Sequence, residues 1–499
     1  MVKTIKNLIN AYRTLNFMKT QPIFLLAILL SMSFSLCGQK TQYNLMECLA
    51  IASENSIAIK QALLDVENAE ISNQQAKANF FPNINASLNH SWNIGLNQNI
   101  TTGLLENITT QFSSASISMN NNVYNGKRKF LELYRSNLTI LSNNLNLEEI
   151  RTNIFILVAN AYLQIMLNRE LYQVNQIQLE LSKTELDRTK NLIQAGVLIP
   201  SEVHELEANI ASQEQTLIVA ENNLRISKIS LAQILLITDY EHFDIDDEKF
   251  NVPFSSILAV NPKDIYNKAV EARATIKISK TNVDLAASDL AISKTALLPS
   301  LSAYYSYNTR ISYSDRLVGA GTFTERPIGV VEETGQKVIT QVNESKVVGP
   351  IPFFDQWTLN DGHNFGLSLS IPILNGKAAR SNVNRSLVNL QKAEEQYQQD
   401  RLNFESTINE AYNSARGAYR LYQASLKTEN FRENAYQVAQ NRFQAGTLNA
   451  FELVQAQQRY EIAASDLIRS KYDYILKLKV LELYFGLPLN IEDIIETAD

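Results

Sequence analysis

The sequence predicts a mainly α-helical fold with a smaller β part, built twice within one chain and completed only by other copies of itself. Three observations predict it. The first is an internal duplication: Asn125-Gly126-Lys127 recurs as Asn375-Gly376-Lys377, and Gln194-Ala195-Gly196 recurs as Gln444-Ala445-Gly446, both at an offset of 250. Upstream, Phe81-Pro82 is answered by Leu298-Pro299 and Asn44 by Asn261, each at an offset of 217. A repeat of this length sets the architecture. Only the segment between the proline and Asn-Gly-Lys differs in length. The second observation is strict two-residue alternation in four segments, and the third is a pair of helical stretches of about 66 residues each, roughly 100 Å long at the α-helical rise.

In chain order, the N-terminus reads as an export signal, assigned to 1–38. An apolar run from Pro22 to Leu36 follows Lys19. It is too short to span a bilayer and of the length of a signal core. Met18 is the natural start, leaving the first 17 residues as an extension. Cys37 is a candidate lipidation site, although Phe34 and Leu36 make a poor lipobox. The chain has only two cysteines, so no disulfide framework exists; Cys48, beside Leu45 and Leu49, reads as a small buried apolar residue. The formal charge of −6 includes four basic residues and no acid in the first 38, so the remainder carries −10, which argues against a nucleic-acid partner.

The first repeat is assigned to 39–237 and the second to 261–489, with a connector at 238–260 and a tail at 490–499. Each opens with a helical run, about 44–80 and 262–298, closed by a proline that cannot extend it. Two strands follow, about 83–95 and 112–124 in the first repeat and about 300–313 and 364–374 in the second. After Asn-Gly-Lys come the long helices, about 128–193 and 378–443, each ending at a glycine suited to the left-handed position after a helix. Return helices, about 200–236 and 450–486, complete the hairpins.

Ile84, Ala86, Leu88, Trp92 and Ile94 alternate with Asn83, Asn85, Ser87, Asn89 and Asn93, interrupted only by His90. The other three segments behave alike, as in Phe365, Leu367, Leu369, Ile371 and Ile373 against Asn364, Gly366, Ser368 and Ser370. One wet and one greasy face over about ten residues matches a tilted membrane-crossing strand; a soluble sandwich is the alternative. Four strands cannot close a barrel, and an open edge within lipid strands its backbone groups. Since barrels start at about eight strands, the chain must associate, two copies giving eight strands and three giving twelve.

Along the second long helix, Ile408, Ala411, Ala415, Ala418 and Tyr422 fall at alternating spacings of three and four, as do Val158, Ala161 and Ile165 along the first. Small residues on such a seam allow long helices to pack closely.

These residues resemble the TolC-like outer-membrane efflux proteins over essentially the whole mature chain. The resemblance rests on the run Leu369-Ser-Ile-Pro-Ile-Leu-Asn-Gly-Lys377, on the hairpin from Arg442 to Ala456 and on the terminal Leu483-Tyr-Phe-Gly-Leu-Pro-Leu489. It implies a homotrimer in which duplicated long-helix hairpins form a periplasmic α-barrel and each chain gives four strands to a 12-stranded transmembrane β-barrel. It also implies the outer membrane of a Gram-negative bacterium as location, and a passive conduit for efflux or type I secretion. The implied partners are a periplasmic adaptor and an inner-membrane transporter of the RND or ABC type. The rival architectures are a barrel-anchored trimeric coiled-coil surface protein and a general porin; neither accounts for rods that fold back twice.

In the family a short Val-Gly-Leu or Val-Gly-Thr motif at the hairpin tips docks the adaptor. The matching residues here are Ala195, Gly196 and Val197, and Ala445, Gly446 and Thr447. The resemblance further places the periplasmic gate on Glu452 and Gln455, of which only the first keeps a carboxylate. The family's latching arginine is Leu448 here. A local reading of the same residues stays open: Asn449 and Glu452 fit a capping box, and Glu202 occupies the equivalent place behind Pro200. The length difference between repeats falls on the external loops, about 96–111 and 314–363. The longer, with Phe353, Phe354 and Trp357, reads as a variable surface loop, a plug being the alternative.

His90, His204, His242 and His363 are scattered, and Gly319-Ala320-Gly321 lacks the strand–helix setting of a dinucleotide site. Asp244, Asp246 and Asp247 lack the glycine and closing glutamate of a calcium loop and read as a solvated connector. No catalytic constellation, metal or cofactor is expected; the sequence does not read as an enzyme.

Overall fold

The computed structural model describes residues 42–99, 103–247, 252 and 256–484. The signal segment with Cys37, the tail 490–499, the end of the terminal motif at 485–489 and parts of the connector lie outside the described residues. The elements run β1 (Gln42–Tyr43), α1 (Leu45–Asn55), α2 (Ile57–Ala78), β2 (Asn83–Gln98), β3 (Leu105–Asn125), α3 (Arg128–Gln194), α4 (Glu202–Ile234) and β4 (Asp244–Ile245). They continue with α5 (Pro262–Ala272), α6 (Ala274–Thr295), β5 (Ser300–Ser312), β6 (Arg316–Val330), β7 (Lys337–Val348), α7 (Phe353–Leu359), β8 (Gly362–Ser370), α8 (Ala378–Gln444) and α9 (Ala450–Tyr484). The fold is mainly α with a β part, as the alternation and the long periodic stretches require. The two rods α3 and α8 are 67 residues each.

β2, β3, β5 and β8 form one antiparallel sheet in that order, leaving β2 and β8 as edges. The pairing keeps apolar residues together, with Leu88 opposite Ala115, Met119 opposite Tyr305 and Ala303 opposite Leu367. β8 stops at Ser370, short of the expected Leu374. Its in-chain partner strand begins at Ser300, opposite Ser370, and Pro372 has no N–H to donate to a ladder. The segment 96–111 is mostly strand, the β2–β3 pairing reaching Gln98 opposite Leu105. The longer segment holds a separate β6–β7 ribbon and the short helix α7.

Both opening runs are broken where one helix was expected, and at equivalent places. Ser56 and Arg273, 217 positions apart, have extended backbone (ψ 123° and 132°). Each still donates its N–H to the turn before, to Ala52 at 3.0 Å and Ala269 at 2.8 Å. A single residue of extended ψ ends one helix and starts the next without proline or glycine to announce it.

The Asn-Gly-Lys motif also has a backbone cause. Gly126 and Lys127 are both left-handed (φ 65° and 67°), as are Gly376 and Lys377 (φ 60° and 66°). A β-carbon on Gly126 would lie 2.9 Å from that of Leu298, so glycine is required twice over.

Contacts divide the chain into two units. In the unit of 1–60, 150–268 and 407–499, the core gathers Cys48 and Ala52 of α1, Val158, Tyr162 and Ile165 of α3, Leu231 of α4, and Ile475 of α9. Cys48 is fully buried among them, as expected. Asp244 is not simply solvated: it pairs with Arg169 and, at 2.8 Å, with Lys228, while Arg169 also donates to the Ile245 carbonyl at 2.9 Å. That cluster pins the connector, whose β4 lies parallel to β1. The seam residues Ile408, Ala415 and Ala418 are buried. The unit of 61–149 and 269–406 holds the four-stranded sheet and is laced by Arg135–Asp289 at 2.5 Å and Ser279–Asp400 at 2.5 Å.

Candidate functional site

The two hairpin tips are built alike, residue for residue. Ala195, Gly196 and Val197 donate their N–H groups to the carbonyls of Asn191, Ile193 and Leu192 at 3.0, 3.0 and 2.9 Å. Ala445, Gly446 and Thr447 donate to Asn441, Phe443 and Arg442 at 3.1, 2.9 and 2.9 Å. These bonds satisfy the last carbonyls of α3 and α8. They require a left-handed residue, supplied by Gly196 (φ 77°) and Gly446 (φ 71°). Thr447 adds a hydroxyl bond to the Arg442 carbonyl at 2.9 Å. All six tip residues are exposed, and the tips adjoin: a β-carbon on Gly446 would sit 3.8 Å from Val197.

Behind the tips lies an apolar knot of Leu206, Phe443, Ala450, Leu453 and Val454, with Tyr436 stacked on Tyr460 at 5.8 Å. Phe443 is wholly buried. Burial first, then the carboxylates Glu185 and Glu461, push the Tyr436 hydroxyl up to about 12. Leu448, where the family has its arginine, packs against this knot.

Next to the knot the two hairpins share a polar layer. Gln457 donates to Ser182 at 2.6 Å and accepts from Asn209 at 3.4 Å; Gln440 donates to Glu185 at 3.2 Å; Gln213 donates to Glu461 at 2.5 Å. Burial raises the Glu461 carboxyl above the ordinary glutamate range, partly offset by hydrogen bonds from Gln213 and Gln457. An amide-rich layer specifies which side chains meet, because each misplaced partner strands a buried polar group.

Glu452 and Gln455 lie one turn apart near the start of α9, both exposed. The Glu452 N–H donates to the Asn449 side chain at 2.8 Å, which is half of a capping box; its carboxylate accepts no hydrogen bond among the described residues. The other cap on α9 comes from the first repeat, where Glu202 accepts from the Ala450 N–H at 2.5 Å. Sequence reasoning placed Glu202 as a cap of its own helix and missed this reach. One signal was available: the residue equivalent to Ala450 is Pro200, which has no N–H. The same contact cannot therefore be made by Glu452.

The family model described as outer membrane efflux protein matches residues 49–235 and 265–487. The chain belongs to the outer membrane efflux protein family. No curated protein matches its sequence. Among solved structures, it is similar to the outer membrane protein VceC of Vibrio cholerae, with a TM-score of 0.69 at 13% identity over 89% of this chain and 97% of that one. The outer membrane channel CmeC of Campylobacter jejuni gives 0.64 at 16% identity, covering 91% and 87%. The open-state MtrE channel of Neisseria gonorrhoeae gives 0.66 at 14% identity, covering 90% of each. At such identities the likeness carries the fold: a long-helix barrel joined to a β-barrel. The two matched segments of the efflux protein each contain one set of alternating strands, one rod and one tip.

Proposed function

We propose that three copies of this efflux protein form a closed 12-stranded outer-membrane barrel continued by a periplasmic tube of helices, a passive conduit from periplasm to exterior. Its work is driven by an inner-membrane RND or ABC transporter through a periplasmic adaptor, in efflux or type I secretion. One observation carries the reading. Four strands with a wet and a greasy face leave both sheet edges unpaired, and they join rods of 67 residues that fold back at left-handed glycines. Edges within lipid must be closed, and three copies close them with an even strand number above the minimum of about eight. The exposed tips Ala195–Val197 and Ala445–Thr447 are the adaptor-docking surfaces.

Glu452 and Gln455 form the periplasmic gate. Three Glu452 carboxylates around an axis attract cations and repel each other. Asn449 and Glu202 cap α9 between them, which leaves the Glu452 carboxylate available for this role. Single-channel conductance in a planar bilayer tests the reading, for the native protein and Glu452→Ala. The expected result is a small, cation-selective conductance that rises or loses selectivity in the variant. A large conductance indifferent to the substitution would remove Glu452 from the gate, and no conductance at all would remove the conduit.

A further inference from the structure

Within one chain, the second half of repeat one meets the first half of repeat two. β3 pairs with β5 from Asn125 opposite Ser300 to Phe112 opposite Ser312, with one irregularity between Asn122 and Tyr124. At the same join Gly126 receives Leu298. The remaining halves, β8 and β2, have no strand beside their outer edges among the described residues. Positions 83–94 of β2 are all exposed. Just past β8, Ile373 and Leu374 are 93% and 90% exposed, and Phe81, the equivalent of Leu298, is 75% exposed. Nothing lies within 4 Å of where a β-carbon on Gly376 would be, although its equivalent Gly126 is crowded.

The duplication states what is missing. Shifting the β3 positions forward by 250 and the β5 positions back by 217 turns the in-chain register into one between β8 and β2. Met119 opposite Tyr305 becomes Leu369 opposite Leu88; Ala115 opposite Thr309 becomes Phe365 opposite Trp92; Ser118 opposite Ser306 becomes Ser368 opposite Asn89. The result passes a check that was not built into it. Phe365, Leu369 and Ile371 meet Trp92, Leu88 and Ala86, and Asn364, Ser368 and Ser370 meet Asn93, Asn89 and Ser87; the exceptions are His90 and His363 in the greasy row and Pro372 in the polar one. A slip of one residue would put Leu369 on the wet side of its neighbour.

We propose that β8 of one copy pairs antiparallel with β2 of the next in the register Leu369 opposite Leu88, and that Gly376 receives the next copy's Phe81. The proposal rests on the trimeric reading above and adds its joint. Leu374 gains a partner in Ile84, as Tyr124 has in Leu301, and the edges are sealed at each of the three joins by a copy of a contact the chain already makes with itself.

Cysteine pairs test it in the full-length protein, where native Cys48 is fully buried. Under mild oxidation, which links only cysteines whose β-carbons lie within about 4.5 Å, S368C/N89C links copies on a denaturing gel. S368C/S87C and S368C/S91C, each two residues off register on the same face, do not. Linkage in an off-register pair instead would overturn the register. So would the absence of linkage in every pair while light scattering reports a trimer. A monomer mass in light scattering would sink the trimeric reading itself, and the joint with it.

Discussion

Glu202 and Glu452 occupy the same place in the two repeats, 250 positions apart, and have different jobs. Glu202 crosses to the other hairpin and holds the first N–H of α9. The Glu452 carboxylate accepts no hydrogen bond among the described residues, and the residue it would need to reach is Pro200 rather than a second Ala450. A duplicated scaffold thus produces one structural and one available carboxylate from a single difference at the receiving position. The two hairpins have one backbone plan, and their side chains divide the work.

The largest expected effect breaks the symmetry of the apolar support. Phe443→Ala empties a fully buried ring site, at a cost of about 3–5 kcal/mol. Its repeat equivalent Ile193, only partly buried, gives a smaller loss on Ile193→Ala; thermal unfolding of the two variants measures the ratio. Next, Glu202→Ala removes a charge-assisted cap from α9 and costs about 1–2 kcal/mol. Glu452→Ala is nearly neutral in stability while changing conductance. Equal losses in the two would mean that both carboxylates cap.

Gly196→Ala and Gly446→Ala sharpen the comparison from the other side. Neither position is crowded, so each variant meets only the left-handed backbone penalty, about 1–2 kcal/mol. Matching shifts in melting temperature are expected, and a much larger loss at one tip would show that the shared backbone plan is not equally used. The smallest effect is a pH dependence. Folding raises the Glu461 carboxyl, so the folded state favours its neutral form. The associated stability is fully present below the ordinary glutamate range and is lost as pH rises through the raised value. Glu461→Gln keeps a neutral partner for Gln213 and flattens that slope. A melting temperature whose pH profile is unchanged by the substitution would place the titration elsewhere.

The repeat made most of the scaffold legible. Helix ends at Gln194 and Gln444, the strand starts at Asn83 and Ser300 and the tip glycines lie within a residue or two of where composition and periodicity put them. Three features escaped, each for a physical reason. The breaks at Ser56 and Arg273 cost one residue's ψ and leave no proline or glycine in the sequence. β8 ends early although its alternation continues, because a strand lasts only as long as its partner, and that partner begins at Ser300. The β6–β7 ribbon was hidden by Pro327 and by two register irregularities that disrupt its alternation. At the site, the tips were readable because glycine geometry is local. The contact between Glu202 and Ala450 was not, because it joins positions 248 apart.

The equal length of α3 and α8 constrains how this gene can change. One codon inserted into either rod rotates every later side chain by about 100° and advances it about 1.5 Å, moving the seam, the amide layer and the tip out of alignment with their counterparts. A single insertion in one rod is expected to misalign the two hairpins, and a matched insertion in both to restore their alignment. Between Pro299 and Asn375, by contrast, the second repeat carries 33 residues more than the first between Pro82 and Asn125. The β6–β7 ribbon is where this chain takes up added length without moving either rod out of step with its counterpart.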